Sequence, residues 1–142
     1  MIELSNGGIS IEEVENAVAH PDCGADLLFV GRVRGVYKGQ MVRHLEYEAY
    51  SQMAVRQMQE IAKEAMEQFQ ARVAIVHRVG RVLPNEISVV IAVATPHRGA
   101  SYDASRFVLE ALKREVPIWK REITDEGAFW KQNIKPTSQP NQ

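Results

Sequence analysis

Hydrophobic positions along the chain change period from one segment to the next, and the changes mark its elements. "ADLLFVGRV", residues 25–33, is a nearly unbroken apolar run that turns basic at its far end, the pattern of a buried strand. "HLEYEAY", 44–50, alternates instead: Leu45, Tyr47 and Ala49 on one face, His44, Glu46 and Glu48 on the other, as in a half-exposed strand. From Ser51 the period lengthens. Met58, Ile61, Ala62, Ala65, Met66 and Phe69 recur at three and four, which predicts a long helix with these residues as its buried stripe. "RVAIVHRVG", 72–80, predicts a further strand, "LPNE", 83–86, a turn, and "ISVVIAVAT", 87–95, a central strand covered on both faces. A second long helix is expected after "PHRGAS", with Ala104, Phe107, Val108, Ala111 and Leu112 inward. Pro117 ends it, because its ring clashes one turn back and disfavours helix in the preceding residue.

Local signals complete the outline. Ser10 and Glu13 form a capping box for a short helix that ends before Pro21. The glycines of "GVYKGQ", 35–40, suggest a mobile loop. The predicted order is β-α-β-β-α-β-β-α with a short terminal segment. This is an α+β fold with a mainly antiparallel sheet and helices packed on one side of it. Residues 1–134 are expected to form a single catalytic domain, and 135–142, "KPTSQPNQ", a flexible polar tail.

Composition narrows the functional classes. A net charge of -1 argues against nucleic-acid binding driven by overall charge, though not against a local basic site. The single cysteine, Cys23, excludes an internal disulfide and a Cys-rich zinc site. His20, His44 and His77 have no partner at ligand spacing and read as structural, so no metal is expected. Walker and Rossmann glycine patterns are absent, and no cofactor is expected. "MIELSNGGIS" does not resemble a signal peptide, and "ISVVIAVA" is too short to span a bilayer, so a cytoplasmic location is expected.

The informative charges lie at the ends of apolar elements. Arg32 and Arg34 close a strand and, being two apart, share a face. His97 and Arg98 sit where an apolar strand gives way to a helix start, a place of unpaired N–H groups that suits anions. Lys113 and Arg114 occupy a last helical turn, and Lys120 and Arg121 follow the proline. Separately each cluster has a plain alternative: cations favoured by the helix dipole, exposed strand ends, a structural histidine. Gathered in one pocket they would bind a small anion such as a phosphate monoester. A lysine crowded by other cations loses its proton more readily and can act as base or nucleophile. Pro117, Ile118 and Trp119 would form the apolar wall.

"FVGRVRG", "IVHRVGRVLPNE", "ATPHRGASYDA" and "LKREVPIWKRE" follow one another in an order and spacing that resembles the molybdopterin synthase catalytic (large) subunit family, over residues 3 to 131. The resemblance implies an α/β hammerhead-like fold and a sulfurtransferase of molybdenum cofactor biosynthesis. Such an enzyme converts cyclic pyranopterin monophosphate (precursor Z) into molybdopterin by building its dithiolene. Sulfur comes from the C-terminal Gly-Gly thiocarboxylate of a small ubiquitin-like subunit. The implied assembly is a heterotetramer around a homodimer of large subunits. By the same resemblance Lys113 and Lys120 are catalytic. Arg34 lies in the active site, and His97 and Arg98 contact the pterin phosphate across the dimer interface. Arg32, Val33, Arg121 and Glu122 complete the substrate-binding stretches, and Phe29 lies near the channel for the partner's tail.

Lys120 would take part in proton transfer or covalent activation at the reacting carbon. Lys113 would stabilise the thiocarboxylate and the charge of the tetrahedral intermediate. Cys23 stands outside every basic cluster, so sulfur must arrive from another molecule. The alternative is a non-catalytic binding module for a phosphorylated metabolite or a ubiquitin-like tail. An RNA-binding role is disfavoured, because Tyr47 and Tyr50 neighbour acidic Glu46 and Glu48 rather than cations. Along one continuous helix Lys113 and Lys120 would stand roughly 10 Å apart. A turn at Pro117 is what could aim both at one reacting group.

Overall fold

The structure is a computed structural model, and it describes residues 1–132. The proposed tail, 135–142, lies outside the described residues. Two sheets share the chain. The first has the order β1-β5-β7-β2, from β1 (Ile2–Ser5), β5 (Arg72–Arg78), β7 (Ile87–Thr95) and β2 (Ala25–Arg32). Only the β1–β5 pairing in it is parallel. The second has the order β3-β4-β8-β9, from β3 (Val36–Tyr37), β4 (Gln40–Ala49), β8 (Ile118–Thr124) and β9 (Gly127–Gln132), with β6 (Gly80–Val82) also paired to β4. This second sheet is antiparallel throughout. The α+β reading with mainly antiparallel strands holds.

β7 is central, between β5 and β2, and buried from Ser88 to Thr95. Its alternate residues enter different cores. Val89, Ile91 and Val93 face α2 (Ser51–Phe69) and α3 (Arg98–Glu115). Val90, Ala92 and Ala94 face α1 (Ile11–Val18) through Val14 and Val18. The helices therefore cover both faces of the first sheet, not one side as expected. A strand apolar at every position demands that second cover, and the eight-residue α1 supplies it. Its start is the anticipated cap, with the Glu13 N–H donating to Ser10 Oγ at 3.2 Å.

Other differences have local causes. "GVYKGQ" is a tight hairpin joining β3 to β4, with Lys38 and Gly39 both at positive φ (50° and 78°), the two-residue turn whose twist matches its strands. Met66 is exposed, and Ala54 takes its expected place in the stripe with Met58, Ile61 and Ala65. α3 opens at Arg98, earlier than expected, with His97 as extended N-cap. Pro117 acts as anticipated. α3 stops at Glu115, Val116 is extended (φ -89°, ψ 128°), and β8 starts at Ile118. The Tyr50 N–H donates to the Pro117 carbonyl at 3.3 Å, tying this reversal to the end of β4. Among the described residues no helix is long and apolar enough to cross a membrane.

Candidate active site

Where the two sheets meet the C-terminal turn of α3, they enclose a cavity of about 400 Å³. β2 contributes Phe29, Val30, Gly31 and Arg32, and Arg34 follows from the connection to β3. α3 contributes Leu109, Leu112 and Lys113, β8 contributes Lys120, and Tyr47, His77, Ser88 and Val89 complete the lining. The turn at Pro117 therefore does what the spacing required: Lys113 at the end of a helix and Lys120 within a strand line one space. Arg32 is steadied by donating from Nη1 to the Asn85 carbonyl at 2.9 Å. Arg34 stands 5.9 Å from the centre of the Tyr37 ring. Two lysines and two arginines around an apolar wall that includes Phe29 make a site for an anionic molecule of small size.

The period of β8 decides which of its residues reach this site. Ile118, Lys120, Glu122 and Thr124 share a face, and Trp119, Arg121 and Ile123 point the other way. Arg121 is engaged on that far face. Its guanidinium pairs with the Glu46 carboxylate, Nε to Oε1 at 3.0 Å, and lies 5.2 Å over the Trp130 ring. Arg121 is thus not among the cavity-lining residues, and in this chain it has a structural partner. Glu122 shares the Lys120 face and is buried, but it lines a neighbouring hollow with Tyr37, Lys38, Gln40, Thr124, Phe129 and Trp130. Val33 is buried and shapes the approach through its backbone. Its N–H donates to the Glu86 carbonyl at 3.0 Å, and its carbonyl accepts from the Asn85 N–H at 2.7 Å.

His97 and Arg98 lie elsewhere. Arg32 pairs with Ile87 at the start of β7, whereas His97 and Arg98 follow its end at Thr95. Eight strand residues cover roughly 26 Å, so within one chain these two side chains do not reach the cavity. Thr95 Oγ1 donates to the His97 carbonyl at 2.6 Å and fixes the entry into α3.

Sequence reasoning missed three of the cavity's polar residues. Alternation along β4 puts Tyr47 on one face with Leu45 and Ala49, but nothing in the sequence gives it a role in the site. Its phenol is held above its usual range, first by burial and further by the Glu122 charge, with a hydrogen bond from Ser88 acting against both. Ser88, a hydroxyl near the start of an otherwise apolar run, was a visible signal. His77, structural by its lack of a partner at ligand spacing, lines the cavity while only 4 % exposed. Burial, with a lesser contribution from the nearby Lys120 charge, pushes its pKa down to about 4, against the opposing hydrogen bond to the Arg78 carbonyl. It is therefore neutral at ordinary pH. Cys23 packs with the α1 core, on the sheet face away from the cavity.

Comparison with known proteins agrees with this geometry. Residues 4–115 match the family described as MoaE protein. The chain is 45% identical over 134 residues to the molybdopterin synthase catalytic subunit of Halalkalibacterium halodurans, covering 93% of this chain and 86% of that one. It is 41% identical to the human protein of the same name, covering 94% and 71%. In structure it resembles molybdopterin synthase from Staphylococcus aureus with a TM-score of 0.89 at 37% identity, over 92% and 96% of the two chains. A complex of subunits 1 and 2 of molybdopterin-converting factor from Helicobacter pylori shares the fold, with a TM-score of 0.77 at 20% identity over 99% and 94%. A lysine pair brought together by a proline turn, an arginine pair at the end of an apolar strand and this family match lead to one assignment: the chain belongs to the MoaE family, the catalytic subunits of molybdopterin synthase, sulfur-transfer enzymes of molybdenum cofactor biosynthesis.

Proposed function

We propose that the cavity is where sulfur passes from the C-terminal thiocarboxylate of a small ubiquitin-like subunit to cyclic pyranopterin monophosphate. The observation that carries this reading is the meeting of Lys113 and Lys120, from different elements, in one cavity beside Arg32, Arg34 and Phe29. The position of Cys23 supports an external sulfur source, because its thiol lies on the wrong face of the sheet to serve the lysines. The Helicobacter pylori assembly, itself a two-subunit complex, supports a small partner.

In this reading Lys120 handles the proton, or a covalent bond, at the reacting pterin carbon. Lys113 offsets the charge of the thiocarboxylate, whose sulfur bonds to the pterin carbon, and then of the tetrahedral intermediate formed as water adds to the acyl carbon. From that intermediate the acyl–sulfur bond breaks, to leave sulfur on the pterin and a carboxylate on the partner's tail. Arg32 and Arg34 draw the anionic reactants in. The substrate phosphate is held by His97 and Arg98 of a second copy, at the N-terminus of its α3, where unpaired N–H groups and the helix dipole favour an anion. Each cavity in the homodimer is then completed by its neighbour.

The test is reconstitution: purified chain, thiocarboxylated small subunit and precursor Z, with molybdopterin as the readout. Lys120→Ala is expected to lower kcat about 100-fold or more. Near-wild-type turnover by that variant would remove the catalytic role. A binding module without chemistry would give no product even with the unaltered chain.

A further inference from the structure

His77 has a geometry that the sulfur-transfer reading does not use. Its Nδ1 stands 2.7 Å from the carbonyl oxygen of Arg78, a buried contact. A carbonyl only accepts, so Nδ1 carries the hydrogen and the neutral ring keeps its lone pair on Nε2. The Tyr47 ring meets the imidazole edge-on, 5.0 Å between centres and 78° between planes, which holds the ring's orientation. Tyr47 is in turn the register partner of Lys120 across β4 and β8. Backbone and aromatic contacts thus fix an acceptor in the wall of the cavity that Lys120 also lines.

The geometry points to His77 as a positioning residue for Lys120: Nε2 accepts a hydrogen bond from the lysine ammonium and aims its remaining donors at the reacting carbon. A lysine ammonium on a four-carbon stem can offer any of three donors over a range of directions, so a fixed acceptor in the cavity wall narrows where it points. An imidazole locked by its own strand supplies such an acceptor without adding a further charge to the cavity wall. A carboxylate in the same place would also orient Lys120, but it would hold the proton on it and oppose the anionic reactants. The depressed basicity of the imidazole fits this role, because an imidazolium would have no lone pair to offer and would repel the ammonium.

This inference rests on the sulfur-transfer reading for its kinetic arm only, so the test has two arms. In the unaltered protein at neutral pH, the long-range 1H–15N NMR pattern of His77 should be that of a neutral ring protonated on Nδ1. An Nε2-protonated ring, or an imidazolium, would overturn the proposal whatever the enzyme's activity. In turnover assays His77→Gln, whose side-chain oxygen can replace Nε2, should keep kcat within about 3-fold of wild type. His77→Leu should lose about 10- to 100-fold in kcat with KM little changed, the worth of a hydrogen bond to a charged group. If Gln and Leu variants of matched circular dichroism have the same kcat, the role is structural and the proposal fails. If the NMR result stands but no variant, including wild type, makes product, it is the sulfur-transfer reading that has failed.

Discussion

The two ends of β7 carry the same kinds of residue and differ in everything else. At its start, Arg32 of β2, Arg34 just beyond it and lysines from α3 and β8 surround a walled space. At its end, His97 and Arg98 stand at an exposed helix N-terminus. In sequence both are basic residues where an apolar run stops. What separates them is enclosure: β4 and β8 fold over the first end, whereas among the described residues no comparable wall rises over the second. A cation becomes chemically useful where apolar neighbours strip it of water and other cations crowd it. An exposed helix start can still hold a phosphate, provided another molecule supplies the rest of the site.

That contrast is open to a direct challenge. In the proposed homodimer, assayed with precursor Z well below KM, purified mixed dimers with Lys120→Ala in one chain and Arg98→Ala in the other should recover about half of wild-type activity while both parents stay low. In the mixed dimer one cavity takes both defects and the other takes none. Mixed dimers as inactive as their parents would mean that the two ends of β7 do not act together across chains. By itself, Arg98→Ala should raise KM for precursor Z roughly 10- to 100-fold, as expected for a lost charge-assisted contact, and leave kcat nearly unchanged.

A smaller effect concerns the stability of the enclosed end. The His77 pKa falls from the usual 6.5 to about 4 on folding. As pH drops, the unfolded chain therefore takes up this proton first, and folding stability is lost. The contribution is fully present above about pH 6.5 and falls away toward pH 4. The full drop corresponds to about 3 kcal/mol. Urea unfolding at pH 7.5 and pH 4.5 should show wild type losing more stability than His77→Phe. Equal losses would show that burial does not hold the ring neutral.

The smallest effect belongs to the far face of β8. Glu46, whose carboxyl is held below its usual range first by Arg121 and then by His44, sits at the surface. Exposed ion pairs contribute little, so Glu46→Gln should shift Tm by no more than about 3 °C and leave turnover unchanged. A large loss of turnover would place the Arg121 pair in the site after all.

Much of this was legible in the chain. Strict alternation placed Tyr47 inward, the period of three and four placed Met58, Ile61 and Ala65 in the core, and an all-apolar β7 announced a strand covered twice. The lysine pair was legible because proline has a fixed local consequence. The Arg121 direction was not, since the segment after Pro117 reads only as a short terminal stretch; once it forms β8, Arg121 must oppose Lys120. What escaped depends on contacts distant in sequence. His77 becomes part of a site only when β4 and β8 bring Tyr47 and Lys120 beside it. Likewise Lys38 adopts positive φ because the β3–β4 hairpin requires it, not because lysine favours it.

The central claim is that Lys113 and Lys120 act on one reacting group, and a double-mutant cycle on molybdopterin turnover tests it most directly. Residues that serve one step as a unit are far from additive. Lys113→Ala with Lys120→Ala should therefore fall within about 10-fold of the worse single variant. Losses that multiply in full would mean that the two lysines share a cavity but not a reaction.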